Sequence, residues 1–423
     1  MDIGFGEAVL LFGGLLAVVA ALSGLMRGTV LSASVLSVAL GIALAAVGVV
    51  EVDATDQSIV ELIELALILT LFSDGMFVER ELLLRHWSPV ARSLVIALPI
   101  TMALLGLAAK ALFPSLSWPE AFLLGAVLSP TDPVVTSAVV TSRLVPPAVR
   151  HTLNLESGLN DGLALPFVLF FLVFASPTGD AQTEAAKLAG EALAGGAIGI
   201  ALGVLGGRLH RHLPGGGLTP RYEGIYSVGF ALAAFGLSDV TFGNGFIAAF
   251  LCGIAMGATE REVPQGFVEF AENASTILQV VTFFVFGGLI VATGFDHSIP
   301  PLVAFVAFAL LLARPAAVLL SFLWTGLPRP EKAFMAWFGP KGVASMLFAL
   351  FVLKSNVGEG ELIFDIAAIV VISSIVAHGL TETLGTRWLA ARTGLSPASG
   401  MGEGGVRTGE SANTPLPHDR TRG

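Results

Sequence analysis

The chain has 423 residues, of which 54% are hydrophobic and only 13% charged, and its mean hydropathy is +0.83. A soluble domain keeps about a quarter of its residues charged, so this chain cannot cover its surface with polar groups, and lipid must be its main solvent. The net charge of −10 comes from Asp and Glu scattered over loops. No basic stripe suits a nucleic acid, and Cys252 is the only cysteine, which excludes a disulfide framework and a cysteine metal site.

The opening Met1-Asp2-Ile3-Gly4-Phe5-Gly6-Glu7 lacks the positive region of a signal peptide, so the first apolar run reads as a retained span. A span needs roughly 20 apolar residues. Thirteen segments qualify, near 8–25, 29–50, 59–78, 89–112, 120–141, 151–175, 188–209, 222–238, 243–258, 268–293, 300–325, 333–353 and 362–389. The eighth and ninth are divided least sharply, at Ser238-Asp239-Val240-Thr241. Odd-numbered links carry Arg27; Arg80, Arg85 and Arg92; Arg143 and Arg150; Arg208, Arg211 and Arg221; Arg261; Arg329 and Lys332; then Arg387 and Arg392. Even-numbered links carry Glu51, Asp53, Asp56, Glu120, Asp180, Glu184, Asp239, Asp296, Glu359 and Glu361, with only Lys110, Lys187 and Lys354 near that side. By the positive-inside rule this predicts a multi-pass protein of the cell membrane, N-terminus out and C-terminus cytoplasmic. Residues 1–395 form the membrane domain. The Gly-, Ser-, Thr- and Pro-rich residues 396–423 read as a disordered cytoplasmic tail.

Ionisable groups inside a membrane are costly and mark functional sites. The fifth span contains Ser129-Pro130-Thr131-Asp132-Pro133. Pro130 and Pro133 cannot donate, and their rings displace the carbonyls of Ala126 and Ser129, so the helix must break where Asp132 sits, facing protein or a wet cavity. The sixth span opens Asn154-Leu155-Glu156-Ser157-Gly158-Leu159-Asn160-Asp161. Glu156 and Asn160 share one helix face, as do Ser157 and Asp161. A polar helix end suits Glu156, but Asp161 lies too far in for that. Arg314, mid-span in the eleventh segment, needs a buried anion, and Glu156 is the expected partner in a structural pair.

The twelfth span breaks at Gly339-Pro340-Lys341-Gly342. With the seventh span as a linker, spans 1–6 and 8–13 each place a broken helix fifth in a run of six. That is the inverted-repeat pattern of secondary transporters, whose interrupted helices meet at a midplane ion site. Lys341 would offset the negative ends of the half-helices, unless it snorkels to the inner face.

Gly195, Gly199, Gly203 and Gly207 make one smooth face of the seventh span, suited either to packing within the subunit or to a dimer contact. Asp74 reads as a capped or solvated aspartate at the inner end of the third span. The histidines, among them His86, His151 and His378, fall mostly at links and span ends without metal spacing. Asn273-Ala274-Ser275 matches a glycosylation sequon, but the charge pattern puts it on the cytoplasmic edge.

Together, Ser129-Pro130-Thr131-Asp132-Pro133, Glu156-Ser157-Gly158-Leu159-Asn160-Asp161, Arg314 and Gly339-Pro340-Lys341-Gly342 resemble the sodium/proton antiporters of the NhaP type, in the cation/proton antiporter superfamily. The resemblance covers nearly all of residues 1–395. It implies an all-α membrane fold of thirteen helices, a homodimer, and an elevator-like motion of a core bundle (spans 4–6 and 11–13) against a dimerisation part (spans 1–3 and 7–10). It implies Asp161 as the ion and proton carrier. Asp132, Ser157 and the Thr131 carbonyl would help coordinate the cation, while Asn160 and Glu156 would organise the site. Many relatives have arginine where Lys341 stands, which leaves the role of that position open.

Burial disfavours a charged carboxylate, so Asp161 can hold a proton or a cation but poorly both, and this competition would couple the two fluxes. The expected substrates are Na⁺ or Li⁺ and H⁺, with K⁺/H⁺ exchange as the alternative; hard oxygen ligands suit all three ions. The family's Asn-Asp pair, here Asn160-Asp161, favours electroneutral exchange. No cofactor and no enzymatic activity is expected. An intramembrane aspartyl protease would need two carboxylates sharing a proton, and its Gly-x-Gly-Asp signature is absent. An ion channel would need no titrating carboxylate.

Overall fold

The computed structural model describes residues 5–26, 33–52, 56–76, 88–132, 139, 142–176, 181–212, 219–259, 265–293, 298–355 and 357–395. Pro133, the link residues Arg27, Asp53, Arg80, Arg85, Asp180, Arg261 and Asp296, and the tail from Ser396 lie outside them. Among the described residues all regular structure is helical, as hydrocarbon requires: every backbone group must find its partner within the segment.

The helices are α1 (Phe5–Met26), α2 (Ala33–Ala46), α3 (Gln57–Met76), α4 (Ser88–Leu112), α5 (Trp118–Val127), α6 (Pro147–Ala175) and α7 (Ala181–His212). They continue as α8 (Pro220–Asp239), α9 (Gly245–Thr259), α10 (Gln265–Thr293), α11 (Ile299–Ser321), α12 (Arg329–Trp337), α13 (Val343–Lys354) and α14 (Gly360–Thr393). Each expected span has its counterpart, and the weak eighth–ninth division is a real turn after Asp239. Among the described residues six helices are individually long and apolar enough to cross a membrane: α4, α6, α7, α10, α11 and α14. The remaining expected spans are short in their apolar part (α1, α2, α9), carry charges within their length (α3, with Glu61, Glu64 and Asp74; α8, with Glu223 and Asp239) or are broken (the fifth and twelfth).

The breaks fall where the prolines predict. The fifth span stops as α5 at Val127, and the twelfth divides into α12 and α13 around 338–342. A second paired irregularity, not expected from the sequence, accompanies the breaks. A π turn occupies Ser93–Ala97 in α4 and another Ala309–Ala313 in α11. Each runs into a proline, Pro99 or Pro315, that supplies no N–H to the helical ladder. These are the fourth and eleventh spans, so each run of six carries a π turn and then a break.

Packing sorts the helices into two sets. α2, α3, α7, α8, α9 and α10 pack on one another, and α4, α5, α6 and α11–α14 do likewise. Within the first set glycines let backbones touch. A Cβ on Gly41 would strike the Phe284 carbonyl and one on Gly287 the Val38 carbonyl; Gly75 and Gly253 stand in the same relation to Phe250 and Phe72. The α7 stripe has its partner here: Gly195, Gly199 and Gly203 lie against the backbone of Asn244, Ala248 and Cys252 at and within α9. Of its two readings, packing within the subunit is the one observed.

Candidate functional site

The site is built where the two broken spans cross. α5 starts from a capping box, with Ser117 Oγ accepting from the Glu120 N–H and the Glu120 carboxylate accepting from the Ser117 N–H. Its C-terminal end is closed by local bonds to the carbonyl that Pro130 displaces: the Ser129 N–H and hydroxyl both donate to Ala126 O, at 3.2 and 2.9 Å. The next carbonyls are served from the other break. Lys341 Nζ donates to Ser129 O at 3.2 Å and to Pro130 O at 3.1 Å. Lys341 is 1% exposed, so its side-chain nitrogen is buried at the negative end of α5 and does not snorkel.

The return contact is complementary. The Asp132 N–H donates to Pro340 O at 2.9 Å, and Asp132 Oδ2 accepts from the Val343 N–H at 3.0 Å. Asp132 thus lies at the positive N-terminus of α13, a place that favours an anion. Glycine is required at two positions of this crossing by close approach. A Cβ on Gly342 would collide with the Asp132 carboxylate, and one on Gly339 with the Arg314 guanidinium. The structure therefore gives Asp132 a helix-capping task for one oxygen, which its residue type alone did not reveal.

α6 lines the crossing. Asn160 Nδ2 donates to Thr131 Oγ1 at 2.6 Å, and Thr131 Oγ1 lies 3.3 Å from Ser157 Oγ. Thr131, Ser157, Asn160 and Asp161 are all buried. Asp161 Oδ1 and Asn160 Oδ1 are buried without a hydrogen-bond partner, which is costly unless something else satisfies them. Glu156 pairs with Arg314 at 2.8 Å, both buried. All the sequence-identified residues among the described ones therefore converge; Pro133 lies outside them.

Two residues that the sequence reading set aside belong to the neighbourhood. Asp74, expected to be capped or solvated, is half-buried on α3 and is an electrostatic neighbour of Asp161 together with Asp132 and Lys341. α3 packs on α6 at this point, and a Cβ on Gly158 would stand in ordinary contact with the Asp74 backbone, 3.4 Å from its carbonyl oxygen. His378, expected near a span end, is buried on α14 behind the second break. Its signal was legible as an imidazole inside an apolar run, four residues after Ser374. One turn along α3 from Asp74, Thr70 Oγ1 lies 2.9 Å from Ser275 Oγ on α10, which accepts from Gln279 Nε2 at 3.0 Å.

The charges do not cancel. Glu156 and Arg314 neutralise each other, leaving Asp74, Asp132 and the single Lys341 around Asp161 when all are ionised. Such a cluster stabilises an added positive charge. The available ligands are carboxylate, hydroxyl and amide oxygens, which suit a hard cation or a proton.

Residues 14–386 match the family described as sodium/hydrogen exchanger, transmembrane, and the chain belongs to that family. The K⁺/H⁺ antiporter NhaP of Alkalimonas amylolytica is 30% identical over 329 residues, covering 77% of this chain and 56% of that protein. The K⁺/H⁺ antiporter NhaP2 of a Shewanella species (strain MR-4) is 27% identical over 292 residues, covering 68% and 50%. The chain thus spans about half the length of the curated relatives it matches. The sodium proton antiporter MjNhaP1 from Methanocaldococcus jannaschii superposes with a TM-score of 0.74 at 20% identity, covering 91% of this chain and 98% of that one. This likeness establishes the NhaP-type transmembrane fold.

Proposed function

We propose that this member of the sodium/hydrogen exchanger family is a secondary antiporter, exchanging a monovalent cation for H⁺ with both competing at Asp161. The observation that carries the reading is the buried, unpartnered Asp161 Oδ1 among Asp74, Asp132 and Lys341. A buried carboxylate oxygen with no donor is satisfied by a proton or a cation, and each excludes the other. Asp132, Ser157 and Thr131 supply the further oxygens, Asn160 holds Thr131 in place, and the Glu156–Arg314 pair fixes α6 against α11.

The cation is Na⁺ or Li⁺ in this reading. K⁺ is the second reading, favoured by the names of the Alkalimonas and Shewanella relatives. Asn160 beside Asp161 supports electroneutral one-for-one exchange. The bundle of α4–α6 and α11–α14 would move as the carrier against the glycine-packed helices α2, α3 and α7–α10, in a homodimer of the cell membrane with its N-terminus outside and its C-terminus in the cytoplasm. A role in pH homeostasis follows from such exchange.

Competition has a definite pH signature. Protons displace the cation, so the apparent KM rises as pH falls, by up to about tenfold per pH unit where the proton dominates. Exchange kinetics across a pH series test this, and a KM independent of pH would favour a channel. Recording current across a bilayer during exchange tests stoichiometry: electroneutral exchange carries none.

A further inference from the structure

The unwound segment Phe338–Gly342 is held by two side chains of α14, His378 at its start and Ser374 at Lys341. His378 Nε2 lies 2.9 Å from the carbonyl of Trp337, the last residue of α12. Its Nδ1 lies 2.7 Å from Ser374 O and 3.2 Å from Ser374 Oγ. That same hydroxyl accepts the Lys341 backbone N–H at 2.9 Å. The imidazole stacks on the Trp337 ring, 5.1 Å between centroids at 28°, and the Trp337 indole N–H donates to Thr381 Oγ1 at 2.9 Å. A proline and two glycines leave this segment no helical ladder of its own, so its path is set from outside, by the first break on one side and by α14 on the other.

We propose that His378 is a positioning residue for exchange, holding Trp337 directly and Lys341 through Ser374 so that the second break meets Asp132 and Thr131 in the geometry that binds the cation. The proposal rests on the antiport reading. His378 touches no ion ligand and acts through the backbone. With the clasp in place, the Lys341 ammonium reaches Ser129 O and Pro130 O, and Pro340 O meets the Asp132 N–H. Without it, the segment samples other paths, the ligands lose their preset spacing, and the cation binds more weakly while the carrier still moves.

The test is exchange kinetics in proteoliposomes for wild type, His378→Ala, His378→Gln and Ser374→Ala, with melting temperatures in detergent. His378→Ala should raise the apparent cation KM about tenfold, the worth of one or two net hydrogen bonds, with a smaller change in maximal rate. His378→Gln can donate to Trp337 O and accept from Ser374, and should stay within about threefold of wild type. Ser374→Ala should raise KM by about threefold. A His378→Ala protein with wild-type KM and only a lowered rate or melting temperature overturns the positioning role. Should His378→Ala fail to fold, Ser374→Ala decides: a raised KM supports the clasp and an unchanged one overturns it. A wild type that exchanges no cation overturns the antiport reading, and any role of His378 in exchange falls with it.

Discussion

Where α7 crosses α9, backbones meet because Gly199 and Gly203 have no side chains, and the contact is with Ala248 and Cys252. Where α5 ends against the start of α13, backbones meet because charges bridge them: Lys341 reaches the carbonyls of one segment, and Asp132 the N–H of the other. The first contact is satisfied by shape and holds one arrangement. The second is built from desolvated charges, whose balance one proton or cation changes. A chain that must hold still in one place and rearrange in another separates the two chemistries, and the comparison predicts different failures for each.

The largest effect is expected in the charged region. Glu156→Gln leaves the Arg314 guanidinium buried without an anion, at a cost of about 3–5 kcal/mol. Folded yield and melting temperature should fall sharply, and Glu156→Gln with Arg314→Met should recover most of the loss. A single variant as stable as wild type would remove the pair from the fold's supports. Next comes the glycine region. Gly253→Val drives a side chain into the Phe72 carbonyl and should cost about 1–3 kcal/mol, seen as a lower melting temperature with exchange per folded molecule retained.

Gly342→Ala should behave the opposite way. Its Cβ meets the Asp132 carboxylate, so exchange should drop by roughly ten- to a hundredfold through misplacement, out of proportion to any change in melting. If both glycine variants lowered stability and exchange in parallel, the division between the regions would fail. The smallest effect is expected at Asp74→Asn. It removes one half-buried negative charge near Asp161, worth about 1 kcal/mol, and should raise the apparent cation KM by about fivefold.

The breaks were legible because of local chemistry beyond a single proline, which α6 absorbs at Pro166: Pro130 and Pro133 flank an aspartate, and Pro340 lies between two glycines. Asp161 and the Arg314–Glu156 pair were legible because a buried charge requires an explanation or a partner. Lys341 was legible in outline, as a cation near exposed helix ends. What escaped depended on which helices become neighbours. Asp74 looks like any residue at a span end until α3 is laid on Gly158 of α6. The glycine stripe of α7 does not say whether its partner lies in the same subunit; the backbone of α9 does. His378 needed both the break and α14 in place before its bonds across 338–342 could be recognised.

The most direct test of the central claim is proton flux in proteoliposomes on adding Na⁺, Li⁺ or K⁺ in turn, for wild type and Asp161→Asn. The account requires at least one of these cations to collapse the pH gradient in wild type and none to do so in the variant; the responding ion identifies the substrate. A wild type in which no cation moves protons, or a variant that matches it, would contradict the assignment of Asp161 as the shared seat of cation and proton.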